Sequence, residues 1–418
     1  MLGQFGRSVP ITVIGLGNRG YGQLQTLLEM PDVEISALCD KYPDRLERAA
    51  KAVEESGRPR PLATLCDEEA VRAAAEAVII MTDWVSHIRI AVAAMEAGKY
   101  AAMEVGGASS LEECRQLVRV SLRTGKPCML LENCCYNREE MALLNMVKQG
   151  LFGELVHCGG GYQHDLRDEI GMGDVSRHYR QLNFLSRNGE LYPTHELGPI
   201  AKWLDINRGN RMESLVSMAS KARGMGAWLE KHRPGDPLAA RSFRQGDVVT
   251  TMIRCARGET IFLVHDCTLP RPYSRGGRLE GTKGIWMEDN RSIFLEGISP
   301  EDPDSWDRCK WQPFDSYLEE YEHPLWREYL EYGMRGGHGG MDFLVLRAFL
   351  EAVQKEENTP IDVYDTASWM AITPLSEQSI SMGSMPVPIP DFTDGRWIGR
   401  EPAVPGPFAL DAVYPSFF

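Results

Sequence analysis

The chain has 418 residues, 43% of them apolar, with a formal net charge of −14 and ten cysteines. That length exceeds one ordinary domain and its apolar content can fill two cores, so two domains are expected. The acidic balance speaks against nucleic acid or an anionic membrane, surfaces that reward clustered Lys and Arg, and leaves a small molecule as the expected partner.

The first element is the most informative. Ile11-Thr12-Val13-Ile14 runs into Gly15-Leu16-Gly17-Asn18-Arg19-Gly20, and residues 33–38 form a second apolar run that leads to Cys39-Asp40. A strand, a G-x-G-x-x-G turn, a helix and a second strand ending in a carboxylate twenty residues after the last glycine make a dinucleotide-binding unit. Gly15 permits the tight turn, Gly17 the approach of the backbone to a pyrophosphate, and Gly20 the close packing of helix on strand. Asn18 and Arg19 open the helix, whose N-terminal amides favour phosphate. Asp40 would accept hydrogen bonds from the adenosine ribose and repel a further phosphate, so the cofactor indicated is NAD.

Alternation then continues. Residues 43–55 have helical period, 77–82 form an apolar strand, 85–97 a helix, 100–105 a strand, 111–123 a helix and 127–132 a strand. This predicts a doubly wound parallel sheet with its ligand beyond the carboxyl ends of the strands, near Asp40, Thr82, Glu104 and Glu132. Trp84 and His87 follow the strand that ends at Thr82 and are expected on the nicotinamide side, although Trp-x-x-His at helical spacing also fits plain packing.

The period changes near Tyr136. Residues 138–149 read as an amphipathic helix, and 154–162, 212–220, 247–255, 260–269 and 284–296 as strands, with a hairpin turn at Arg257-Gly258-Glu259. The second half is therefore an α+β domain on an open, mostly antiparallel sheet. Residues 339–353 read as a late helix, and Pro199 as the start of another. The expected division is a Rossmann domain over 1–136, a substrate and oligomerisation domain over 137–385, and an extended, proline-rich tail over 386–418. Large open sheets pair with one another, so a homo-oligomer is expected.

The cysteines lack metal-site spacing, Cys134-Cys135 is no C-x-x-C, and no H-E-x-x-H is present, so no metal is expected. No apolar run reaches the roughly 20 residues of a membrane span. Residues 1–10 lack the apolar core of a secretion signal, so the expected location is the cytoplasm, with a leader removed ahead of this start left open.

Five stretches carry a specific resemblance: Glu132-Asn133-Cys134-Cys135-Tyr136, residues 144–154, Tyr192-Pro193-Thr194-His195, Asp205-Ile206-Asn207-Arg208-Gly209 and His338-Gly339-Gly340-Met341-Asp342. Over residues 10–375 the chain resembles glycoside hydrolase family 109, NAD-dependent glycosidases with α-N-acetylgalactosaminidase as the best-known activity. It lies within the wider glucose-fructose oxidoreductase and inositol dehydrogenase family. The resemblance implies C3 oxidation of the sugar, C2 deprotonation, elimination of the aglycone, water addition and re-reduction. By position it implies Tyr162 as the C2 base or its partner, Glu132 as its tuning or accepting acid, and His195 and Tyr192 on the reacting hydroxyls. His164 and Tyr273 would line the pocket, Glu104 would bind the nicotinamide ribose, and Asn133 would join the cofactor residues.

Two departures matter. Sugar dehydrogenases of the wider family have Glu-Lys-Pro where this chain has Glu104-Val105-Gly106, and the lysine that moves the hydroxyl proton is missing. They also place an acid four residues before the histidine, where this chain has Leu191. Both count against the alternative reading, a sugar or inositol dehydrogenase that releases NADH. A non-catalytic, NAD-holding sugar sensor is the third.

Overall fold

The computed structural model describes residues 6–402 and 405–418. They form two compact units. The first comprises residues 6–145, 321–368 and the described part of 399–418; the second comprises 146–320 and 369–398. The chain thus returns to each unit after leaving it, where the sequence suggested consecutive blocks. Residues 403–404 of the expected tail lie outside the described residues.

The first unit is built on six parallel strands, β1 (Val9–Ile14), β2 (Val33–Cys39), β3 (Leu62–Thr64), β4 (Ala77–Ile80), β5 (Tyr100–Met103) and β6 (Cys128–Leu130), in the order β3-β2-β1-β4-β5-β6. All four residues of β4 are wholly buried, as strands covered on both faces must be. Local chemistry sets the helix ends. Pro43 opens Pro43–Glu55 with Asp44 in its first turn. Ser110 and Glu113 form a reciprocal capping box at the start of Leu111–Thr124, which stops at Gly125 with φ 67°.

Register places the site. Ile14 pairs with Cys39 and Ile80, Ile80 with Met103, and Met103 with Leu130, so the strand ends lie in one row. The residues just beyond them include Gly15, Asp40, Thr82, Glu104 and Glu132, at the point where the strand order reverses. The sequence reading missed β3 and the helix Asp67–Arg72, short pieces whose apolar residues are too few to show a period. The late helix runs Met341–Lys355, beginning two residues after the expected Gly339. Its Phe343, Leu344, Val345, Leu346, Phe349 and Leu350 are all wholly buried, an all-round apolar helix that belongs inside a core.

The second unit is a nine-stranded sheet of β7 (Leu155–Gln163), β8 (Met212–Ala219), β9 (Val248–Cys255), β10 (Thr260–Asp266), β11 (Arg278–Gly281), β12 (Gly284–Met287), β13 (Ser292–Leu295), β14 (Gln312–Pro313) and β15 (Val387–Pro388). Its order is β14-β13-β12-β11-β7-β10-β9-β8-β15, antiparallel throughout except where β7 meets β10. The stretch 284–296 is not one strand. Arg291 adopts φ 46° and donates its N–H to the Glu288 carbonyl, turning the chain into a hairpin in which Trp286 faces Ile293. The helix Thr194–Trp203 starts five residues before Pro199, which lies inside it. The fold class expected from the sequence, a doubly wound parallel sheet followed by an open, mostly antiparallel one, is the fold observed.

Candidate active site

In the first unit the glycines of the G-x-G-x-x-G turn divide by cause. A Cβ on Gly15, at φ 96°, would fall 2.5 Å from the Met81 carbonyl, and one on Gly20 would fall 2.0 Å from the Gly15 oxygen. A Cβ on Gly17 would meet only the far end of Arg45, at 3.4 Å. The protein's own packing thus demands Gly15 and Gly20, whereas Gly17 leaves backbone open to an approaching ligand. Gly17 caps Asn18–Leu28 without a side-chain bond, and no acid stands in the first turn, so that helix end suits a phosphate.

Asp40 is buried, its Oδ2 accepting the Leu16 N–H at 2.7 Å and its Oδ1 the Tyr42 N–H at 2.9 Å. A carboxylate has about four acceptor positions, so it retains capacity for a ribose. These features fit NAD: Gly17, Asn18 and Arg19 would hold the pyrophosphate and Asp40 the ribose.

Beyond β4, the Thr82 hydroxyl accepts from Ser86 Oγ at 2.8 Å, and the Thr82 carbonyl lies 3.0 Å from Nε2 of His87. His87 is wholly buried, and burial brings its pKa down to about 4. It is therefore neutral and braces the Thr82 loop from behind. Trp84 is 2% exposed and lies against Gly106, where a Cβ would fall 2.2 Å from its Cδ1. Gly106 has φ 154°, a conformation closed to proline, and its missing Cβ leaves the room that Trp84 occupies.

Glu104 accepts the Val105 N–H with Oε1 and pairs through Oε2 with Nε of Arg19 at 3.0 Å. Glu132, wholly buried, accepts the Cys134 N–H at 3.1 Å and so caps the turn Asn133–Tyr136. The Asn133 amide donates to Asp342 at 2.7 Å.

In the second unit five residues named from the sequence come together. Tyr162 stands near the end of β7 with its hydroxyl 3.1 Å from Nδ1 of His164. Its ring lies 4.5 Å from that of Tyr192, 5.4 Å from His195, 5.7 Å from His164 and 6.3 Å from Tyr273, centre to centre. Tyr192 and His195 are 4.9 Å apart and nearly perpendicular. Tyr273, 49% exposed, forms the outer edge.

Glycine makes this assembly possible. A Cβ on Gly160 would fall 1.8 Å from Cγ of Glu196, so the helix bearing His195 packs directly on β7. Gly161, at φ 155°, lies equally tight against Val264.

Two participants escaped the sequence reading. The guanidinium of Arg180 sits 5.8 Å from the centre of the Tyr162 ring and 5.1 Å from that of Tyr192, and its charge is paired with Glu169. Burial holds the Tyr162 phenol well above its ordinary value, and the Arg180 charge offsets only part of that rise. Burial and Arg180 both lower the pKa of His164, which favours its neutral form beside the Tyr162 hydroxyl.

The second is Glu190, five residues before His195. It is wholly buried, takes the Tyr192 N–H on Oε1 at 3.3 Å, and has its pKa pushed up to about 8 by desolvation. The short helix Arg180–Ser186 has no legible period, and nothing in the sequence around Glu190 announces its burial.

Residues 136–399 match the C-terminal domain of glycosyl hydrolase 109, and residues 9–131 match the NAD-binding Rossmann fold of an oxidoreductase family. The chain is 43% identical to a glycosyl hydrolase family 109 protein of Stenotrophomonas maltophilia, over 98% of this chain and 93% of that one. It is 40% identical to an alpha-N-acetylgalactosaminidase of Tannerella forsythia, over 93% and 87%. Among solved structures, myo-inositol 2-dehydrogenase of Lactobacillus plantarum superposes with a TM-score of 0.65 at 13% identity, covering 92% of this chain and all of that one. Scyllo-inositol dehydrogenase of Lactobacillus casei, with NAD(H) and scyllo-inositol bound, gives 0.60 at 13%, covering 92% and 99%. At that identity the two structures speak to the fold alone. Matched along both halves and at 38–43% identity to relatives spanning most of its length, the chain belongs to glycosyl hydrolase family 109.

Proposed function

We propose that this protein is an NAD-dependent glycosidase that removes a terminal hexosamine or hexose, with an α-N-acetylgalactosaminide as the first substrate to try. One observation carries the chemistry: Tyr162, Tyr192, His195 and the buried cation of Arg180 converge in one cluster.

NAD, when bound, supplies the redox step, taking a hydride from C3 of the sugar and returning it at the end of turnover. The protein's residues handle protons and position. His195 accepts the C3 hydroxyl proton as the ketone forms, and Tyr192 orients the neighbouring hydroxyls. The ketone acidifies the C2 proton, which Tyr162 removes; the C1–oxygen bond then breaks, and water adds to the conjugated ketone. A phenol with an ordinary pKa of about 10 is a poor base at neutral pH, and the Arg180 charge offsets part of the burial cost of its ionised form. Glu132 is the further candidate for tuning or accepting that proton, His164 and Tyr273 line the sugar, and Thr82, Trp84, Glu104 and Asn133 serve the cofactor.

The open face of the second sheet supports a homo-oligomer. Val216, Met252 and Phe262 lie opposite one another across β8, β9 and β10, and Met218, Thr250 and Val264 form the next row. Met218 is 64% exposed and Met252 38%, a run of apolar surface that a second copy of the chain would cover.

Among the described residues no helix is long and apolar enough to cross a membrane. A cytoplasmic location is part of the same proposal.

The test is mass spectrometry of products from aryl α- and β-hexosaminides and hexosides in deuterated water with catalytic NAD. Aglycone release with one deuterium fixed at C2 and no net NADH is the expected result. Release without deuterium would point to direct hydrolysis, and NADH accumulating with the glycoside intact would make the protein a dehydrogenase.

A further inference from the structure

Asp342, at the start of the helix Met341–Lys355, lies far along the chain from the dinucleotide loop and belongs to the same unit. Its carboxylate is 3% exposed and receives four donors. Nη1 and Nη2 of Arg19 bind it in bidentate fashion at 2.6 and 2.9 Å, Nδ2 of Asn133 at 2.7 Å, and Nδ1 of His338 at 2.8 Å. Arg19 reaches on through Nε to Glu104. One buried carboxylate therefore ties together three residues from three separate strand ends, all of them candidates for holding the cofactor. Burial alone would raise its pKa, but the bonds and charges of His338 and Arg19 hold it well below the ordinary carboxylate range, so it stays charged.

The backbone before it is bent at some cost to make this contact. His338 adopts φ 52°, followed by Gly339 at 64° and Gly340 at 95°, and a left-handed non-glycine residue is uncommon. The Tyr329 hydroxyl pins the bend, donating to the Arg335 and Gly340 carbonyls and accepting the Arg335 N–H. A Cβ on Gly337 would fall 2.8 Å from Oδ2 of Asp342 and one on Gly340 would strike Tyr329, so the glycines of this segment are what the carboxylate's seat requires. Strain that is pinned from several sides points to function.

We propose that Asp342 is a positioning residue for the cofactor: it sets the side chains of Arg19 and Asn133, and through Arg19 the Glu104 carboxylate, in the arrangement that receives the dinucleotide. The inference rests on the reading that the first unit holds NAD. A role carried through Arg19 makes a specific demand, since removing either partner should cost affinity and removing both should cost little more.

Calorimetric titration of the cofactor-stripped full chain with NAD tests this, using wild type, Asp342→Asn, Arg19→Met and the double variant, with the melting temperature of each apo form as a control on folding. The expected result is a loss of about tenfold in NAD affinity for each single variant, and a double variant within about twofold of the weaker single. Losses that multiply in the double variant, or Asp342→Asn binding NAD as wild type does, would overturn the proposal while leaving the cofactor reading intact. Wild type taking up no NAD would overturn both. Should Asp342→Asn fail to fold, Asp342→Glu shifts the charge by one methylene and reads the same way, a comparable loss supporting the proposal and unchanged binding refuting it.

Discussion

Gly160 and Glu196 are in direct contact: the hydrogen that stands in place of a Cβ on the strand faces a carboxylate side chain on the helix, with 1.8 Å between the would-be Cβ and Cγ. Because Glu196 follows His195 and Gly160 precedes Tyr162 by two residues, this contact governs how closely the two proposed proton-transfer groups approach. Gly160→Ala should therefore push the helix off β7. The expected result is a destabilisation of about 1–3 kcal/mol, as for other overpacked sites, together with a fall in turnover exceeding what the lower melting temperature explains. Calorimetry beside steady-state kinetics on the best aryl glycoside checks both.

Tyr162→Phe keeps the ring packing and removes the ionisable oxygen. Turnover should drop by about 10²–10⁴, the usual worth of a positioned acid or base, while titration shows NAD affinity unchanged. A variant that retains aglycone release would remove Tyr162 from the chemistry.

Arg180 lowers the pKa of the Tyr162 phenol against the rise caused by burial. Arg180→Met deletes that charge, so the phenol rises further and the ascending limb of the pH–rate profile, on which the base loses its proton, moves to higher pH. Arg180→Lys keeps the charge and should hold the limb nearer to wild type, although the guanidinium's contact with the Tyr192 ring is lost. A profile that does not move in the methionine variant would sink the electrostatic role.

Glu190 titrates at about 8 in the folded protein, above the ordinary carboxyl value, because it is desolvated. The sign follows: its contribution to stability is fully present below about pH 4.5 and is lost as pH rises through 8. Glu190→Gln keeps an acceptor for the Tyr192 N–H and cannot ionise. Its stability should lose the wild type's fall over that window, a difference on the order of 5 kcal/mol by pH 9. Denaturant melts between pH 5 and 9 measure it.

Met252→Glu puts a charge in the middle of the apolar rows on the open sheet face. If a second copy covers that face, sedimentation velocity should show a shift toward monomer with the fold retained by circular dichroism. An unchanged sedimentation coefficient would remove this face as the interface.

The cofactor unit was legible because its signals are local. Fixed glycine spacing, alternation of short apolar runs and a carboxylate at a set distance are all imposed by backbone geometry within some thirty residues. The Tyr162 cluster was legible only through resemblance, since a tyrosine at the end of a strand looks like any core tyrosine. Arg180, Glu190 and Asp342 acquire their properties from burial and from partners distant in sequence, and the helix Arg180–Ser186 and the strand β3 are too short to show a period. The hairpin at 288–291 was hidden because Arg291 takes the left-handed turn position that glycine or asparagine usually marks.

The chain passes between its two units four times, after residues 145, 320, 368 and 398. A single crossover cannot exchange the whole second unit between relatives by itself, since a cut after residue 145 carries 321–368 and the described part of 399–418 of the first unit along with it. New specificities in this architecture must therefore be reached by point substitution around Tyr273 and Arg180, or by grafts with four junctions, and a library builder should place crossovers only at those positions.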